Sequence, residues 1–139
     1  MKVAYADSLK CKISQRIESL PYTVILRSDL KDLSDYRQIT SILNQLIQEE
    51  TIVRIGYGIY AKLKWSERFQ ESYLENGFGS VIREALTRLH VKWKPSKALE
   101  DYNAGKTTQV PANAVFRIES GFRRKLFFDN ITLIREPLR

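Results

Sequence analysis

From Asp35 to Glu50 the chain reads DYRQITSILNQLIQEE, and its aliphatic residues fall only at Ile39, Ile42, Leu43, Leu46 and Ile47. That spacing is one stripe at the 3.6-residue period, so it predicts an amphipathic helix whose other face stays polar. Asp35 or Ser34 can cap its start by accepting from first-turn amides. The opposite face carries Tyr36, Arg37, Gln38, Ser41, Asn44, Gln45 and Gln48, rich in amides and poor in charge. Any fold this chain adopts has to bury one side of that helix and display the other.

The flanking segments narrow the choice. Asp7 or Ser8 can cap an earlier helix with apolar positions Leu9, Ile13, Ile17 and Leu20, which Pro21 stops. Tyr22 to Leu26 is short, apolar and β-branched, as a small strand requires. Ser28 can cap a short helix from Asp29 to Leu33, with Asp29 and Asp32 near its positive end. After the long helix, Thr51–Ile55 and Ile59–Leu63 read as two strands around Gly56-Tyr57-Gly58, glycines that permit the positive φ of a tight hairpin. Three compact helices and a glycine-tipped hairpin, in that order, predict a winged helix-turn-helix over residues 1–65.

Residues 65–78 form a polar connector, which puts the domain boundary there and a second, small domain at 66–139. That domain is expected to open with a helix from Gly79 to Leu89, buried through Val81, Ile82, Ala85, Leu86 and Leu89. Val91 to Lys94 reads as extended, and Pro95-Ser96 opens a short helix to Tyr102. Strands are expected at Val115–Glu119, Arg123–Phe128 and Ile131–Arg135, with turns at Ser120-Gly121 and Asp129-Asn130. Phe116, Ile118, Leu126, Phe128, Ile131 and Leu133 would be their core. The expected class is α+β: an N-terminal winged helix-turn-helix followed by a small C-terminal domain of helix plus antiparallel β-hairpins.

Composition excludes several functions. Among 139 residues, 23 Lys and Arg face 16 Asp and Glu, a net charge of +7 that suits a polyanionic partner without demanding one. The excess is shared, +3 over residues 1–65 and +4 over 66–139. One cysteine, Cys11, forbids an internal disulfide, and one histidine, His90, leaves no ligand set for a structural zinc. No apolar stretch approaches a membrane span or a signal peptide, so a cytoplasmic location is expected. Catalysis finds little footing. His90 reads as a surface residue at a helix end, and Cys11 falls off the apolar stripe of its helix. Glu49-Glu50 and Glu100-Asp101 are adjacent carboxylates that a helix splays apart. Gly56-Tyr57-Gly58 joins two strands and lacks a third glycine, so it is no dinucleotide fingerprint. No nucleophile elbow, phosphate loop or metal spacing appears, and neither enzyme activity nor a cofactor is expected.

Binding residues are easier to place. Asn and Gln pair with adenine edges and Arg with guanine, so an amide-rich helix face suits the major groove of double-stranded DNA. Tyr36, Arg37 and Gln38 would lead from the N-terminal turn, followed by Ser41, Asn44 and Gln45, with Arg37 the leading base contact. Ser28 and Lys31 would grip phosphate and fix register. Tyr57 at the hairpin tip, with Arg54, Lys62 and Lys64, would lie along the backbone or minor groove, while Tyr60 packs inward. Arg117, Arg123, Arg124 and Lys125 put cations on adjacent C-terminal strands, either a solvated basic face or a second phosphate-contacting or partner-binding surface. A plain solvated helix face and a hairpin from a protein-interaction module remain the competing readings.

Two segments together resemble a known family. ILNQLIQEETIVRIGYGIYAKLK is similar to the winged helix of AbiEi-like antitoxins of bacterial type IV toxin–antitoxin systems. TTQVPANAVFRIESGFRRKLFFDNITLIRE is similar to the pattern that follows it in short members of that group, and Thr108-Gln109-Val110-Pro111-Ala112 carries most of the specificity. The resemblance spans most of residues 20–136. It implies an antitoxin and transcriptional autorepressor that binds inverted repeats at its own promoter; a homodimer or cooperative pair is expected separately, because one small recognition module seldom reaches the affinity a promoter site needs. It also implies a nucleotidyltransferase-like toxin as partner, and a module docking such a toxin is the alternative function. Where many relatives have Gly near the end of the recognition helix, this chain has Glu50-Thr51, so a less sharp helix end is expected.

Overall fold

The computed structural model describes residues 8–112 and 114–138; Asp7, the alternative first cap, lies outside them. The class is α+β. The chain divides into two compact units, Met1–Arg54 with Gly58–Glu75, and Ile55–Tyr57 with Asn76–Arg139. Residues 66–75, read from sequence as part of the second domain, therefore belong with the first unit. They fold as a hairpin directly after its sheet.

In the first unit, α1 (Leu9–Ser19) starts at Ser8, whose Oγ accepts the Cys11 amide at 3.1 Å. β1 (Val24–Leu26) pairs antiparallel with β3 (Ile59–Lys62), and the sheet order is β1-β3-β2 with β2 at Ile52–Gly56. Between sheet and long helix the chain departs from expectation. Arg27–Asp29 forms only a 3-10 turn, and residues 30–33 continue as turns rather than a capped α-helix. Asp29 Oδ2 reaches back to accept the Leu26 amide at 2.9 Å, the bond from third residue to cap that opens a helical turn, and the turn it opens is this 3-10 one, two residues before the expected start. Ser28 is exposed and does not cap.

α2 (Tyr36–Gln48) follows, with Asp35 as its cap accepting the Gln38 amide at 2.8 Å. It ends sharply. The Glu50 amide donates to Ile47 and the Thr51 amide to Leu46, while Glu50 sits at φ +61. This pair of bonds around a left-handed residue is a Schellman stop built without glycine, contrary to the softer end expected. In the β2–β3 hairpin, Gly58 takes φ +70 and Gly56 closes β2.

Ile39, Leu43 and Leu46 of α2 are buried with Ile13 and Ile17 of α1, Ile25, Leu30, Ile52 and Tyr60. Leu9, Leu20, Leu33, Ile42 and Ile47 pack around them half-buried. Cys11, placed off the apolar stripe by sequence, is buried too, its small thiol tucked beside the stripe. The first unit closes with β4 (Lys64–Ser66) and β5 (Glu71–Tyr73), a two-stranded antiparallel ribbon.

In the second unit, α3 (Gly77–Arg88) buries Phe78, Val81, Ile82, Ala85 and Leu86 and starts two residues earlier than its periodicity suggests. His90 stops it at φ +60, exposed as expected. Ser96 caps α4 (Lys97–Asn103), accepting the Leu99 amide at 3.1 Å. β6 (Trp93–Pro95), β7 (Val115–Ile118) and β10 (Ile134–Pro137) form a sheet in the order β10-β7-β6. β10 runs parallel to β7, so the expected run of antiparallel hairpins holds only in part. β8 (Phe127–Phe128) and β9 (Ile131–Thr132) make a minimal hairpin around Asp129-Asn130. Phe116, Ile118, Leu126 and Leu133 are buried, but Ile131 is exposed and Phe128 only half-buried. Among the described residues no helix is long and apolar enough to cross a membrane.

Candidate nucleic-acid interface

Burial fixes which way α2 faces. Fully burying one Ile or Leu side chain contributes about 1.5–3 kcal/mol. Turning α2 to hide its amide face would expose Ile39, Leu43 and Leu46 together, costing about 5 kcal/mol or more against a typical domain stability of about 5–15 kcal/mol. The helix therefore holds Tyr36, Arg37, Gln38, Ser41, Asn44, Gln45 and Gln48 outward, and all seven are exposed. Among the described residues Arg37, Ser41, Asn44 and Gln45 make no side-chain hydrogen bond or ion pair with the protein. Gln38 is partly occupied, because the Ser34 hydroxyl donates to its side-chain carbonyl.

The leading turn of α2 is braced from behind by Arg27, a residue the sequence reading passed over. Its guanidinium donates to the Tyr36 carbonyl at 2.9 Å and to Thr40 Oγ1 at 2.8 Å, and lies 3.8 Å from the Tyr36 ring centroid. Thr40 Oγ1 donates in turn to the Tyr36 carbonyl at 2.8 Å. Tyr36 is 62% exposed, so the stacked cation sets its ring direction while the ring stays in solvent. No periodic signal marks this contact, since it joins the 3-10 turn to a helix nine residues on.

Ser28 and Lys31 are exposed on the turn facing α2, and with Arg27, Ser34, Asp35 and Tyr36 they rim an open cleft of about 530 Å³. Among the described residues Lys31 has no acidic partner. Arg16 anchors this turn to α1. It donates to both Asp32 carboxylate oxygens, at 2.7 and 2.9 Å, and to the Asp29 carbonyl at 2.8 Å. The hydrogen bond from Arg16 holds the Asp32 carboxyl below its ordinary value, and the same bond raises Arg16.

The hairpin residues divide. Arg54 is exposed, and Tyr57 at the tip is 70% exposed. Tyr60 points inward, as expected. Lys62 is directed at the protein, whereas Lys64 stays exposed beside one carboxylate. The Lys62 ammonium donates to the Leu20 carbonyl at 2.8 Å and is half-buried. Lys64 lies in β4, beyond the hairpin, and pairs with Glu75 at 2.9 Å, a hydrogen bond that raises its pKa.

In the second unit the four predicted cations also separate. Arg117 is tied down, with Nε donating to the Pro95 carbonyl at 2.8 Å and the fork paired to Glu100. Arg124 donates to the Tyr57 carbonyl. Arg123 and Lys125 on either side are exposed and make no ion pair among the described residues. The segment carrying them is irregular rather than the strand expected, because Arg135 takes the carbonyls of Phe122 and Arg124 for itself. No cluster of three or more His, Cys, Asp or Glu side chains able to hold a metal occurs among the described residues. The chain matches no protein-family model, no curated protein and no solved structure.

Proposed function

We propose that the protein is a sequence-specific reader of double-stranded DNA, a transcriptional regulator of the antitoxin autorepressor type. In this reading the first unit works as a winged helix-turn-helix, with α2 as recognition helix, the β2–β3 hairpin as wing and the 3-10 turn in place of the usual first helix of the motif. The observation that carries it is the outward face of α2: a base-reading set of Arg37, Ser41, Asn44 and Gln45 without protein partners, on a helix that core packing cannot rotate. Lys31 and Ser28 grip phosphate beside it, and Arg123 and Lys125 are, within the second unit by itself, a pair of exposed cations suited to phosphate. Lys62 drops out as a principal contact, since its ammonium serves the Leu20 carbonyl, while Lys64 stays exposed in a surface pair with Glu75 that a phosphate can displace.

The test is selection from a random duplex library with the intact protein, followed by anisotropy titrations of the enriched and a scrambled duplex. An enriched motif is expected, with log affinity falling linearly in log salt. Arg37→Ala should lose about 1–3 kcal/mol at one base position, while Lys31→Ala weakens both duplexes alike. No enriched motif, or equal behaviour of wild type and Arg37→Ala on both duplexes, overturns the reading.

A further inference from the structure

The β4–β5 ribbon is built like an element awaiting a partner. Among the described residues its strands pair only with each other, Lys64 opposite Tyr73, Trp65 opposite Ser72 and Ser66 opposite Glu71, and the Ser72 hydroxyl ties it to its own unit by donating to the Glu50 carbonyl at 3.3 Å. An isolated two-stranded ribbon is marginal in water unless a face packs against something, and unpaired edges invite another chain. This ribbon nevertheless exposes large aromatics: Trp65 at 52%, Phe69 at 66% and Tyr73 at 42%. The register puts Trp65 on one face and Tyr73 on the other, with Phe69 in the connecting turn beneath the Arg68 guanidinium, 5.2 Å from its ring centroid. Exposed aromatics at this density are the residues that anchor protein interfaces.

Charge says what kind of partner fits. Residues 64–75 carry Lys64 and Arg68 against Glu67, Glu71 and Glu75, a net of −1 in a chain of net +7. A ribbon of that sign repels nucleic acid. Two copies of a +7 chain repel each other through most surfaces, but this near-neutral patch of mixed sign can meet itself across a two-fold axis, cations of one copy against carboxylates of the other.

We propose that the β4–β5 ribbon is the homodimer interface, two ribbons packing through their Trp65 faces and the Phe69 turns. The inference extends the DNA-reading proposal, because an inverted repeat is matched by a two-fold protein, yet it is tested without DNA. Sedimentation equilibrium of the intact chain should give twice the 16.2 kDa chain mass at micromolar concentration. The double variant Trp65→Ser, Phe69→Ser should raise the dimer dissociation constant by at least about tenfold. Glu67→Cys at the ribbon turn should cross-link under mild oxidation in the wild-type background, with Cys11 buried and silent, and fail to do so in the double variant. Arg68→Glu, an exposed change that leaves the core alone, should weaken the dimer in the same direction. A wild-type chain monomeric throughout, or a dimer untouched by all these changes, overturns the proposal. A monomer that still selects a DNA motif overturns it alone, and a dimer that selects none leaves it standing while removing the DNA reading.

Discussion

Removing the Arg27 guanidinium should loosen the leading turn of α2, and the structure sets the size of the effect. Arg27→Ala deletes two hydrogen bonds, to the Tyr36 carbonyl and Thr40 Oγ1, and a cation stacked 3.8 Å from the Tyr36 ring centroid. A shielded hydrogen bond to a charged group contributes about 1.5–3 kcal/mol, and an exposed cation–π contact about 0.5–1 kcal/mol. Two facts pull the total down. Tyr36 is mostly in solvent, and its carbonyl keeps the Thr40 hydroxyl at 2.8 Å, so no acceptor is stranded. The expected loss is about 1–2 kcal/mol, which moves the urea midpoint of the first unit down by roughly 1 M at the usual slope for a small domain. Arg27→Met keeps the aliphatic stem over the ring and drops the bonds, so it should lose most of that amount. Urea unfolding followed by circular dichroism reads both. If both variants unfold at the wild-type midpoint, the brace is decorative and Arg27 does not hold the leading turn of α2.

Glu50 holds the left-handed position of a Schellman stop at φ +61, so Glu50→Gly should raise stability by about 0.5–1 kcal/mol in the same urea experiment. The Arg16–Asp32 pair gives an acid signature. Because Asp32 titrates below the ordinary 3.8 when folded, the pair contributes above that value and fades as pH falls through the depressed one. Asp32→Asn should therefore unfold at lower urea than wild type at neutral pH, with the gap closing as pH drops below 3.8. Replacing Arg123 and Lys125 together by Ala should flatten the slope of log affinity against log salt by up to about two, one phosphate each, while the selected DNA motif stays the same.

What the sequence announced and what it withheld follow one physical division. α2 was legible because its evidence is local and redundant: a capping Asp35, a stripe of aliphatics and a polar remainder all point one way. The segment after β1 carried equally good local signals for a helix, yet Asp29 starts only a 3-10 turn, and Arg16 of α1 holds Asp32 and the Asp29 carbonyl. The Arg16 contact comes from outside the segment, where no local pattern announces it. The tail shows the same principle in a strand. Ile131 to Arg135 reads as one β run, but the Leu133 amide bonds the Leu126 carbonyl and the next amide, of Ile134, bonds Ala114. The chain changes partners between two adjacent residues, leaving β9 with β8 and giving β10 to β7 in parallel. Alternation of apolar residues reports which face is buried, never which strand lies alongside. For the candidate interface the consequence is specific. Which α2 side chains reach outward was readable from periodicity, whereas the fate of each cation depended on acceptors such as the Leu20 carbonyl for Lys62 and Glu100 for Arg117. Those acceptors lie 42 and 17 residues from the cations they hold, so composition counts a charge that the fold has already spent.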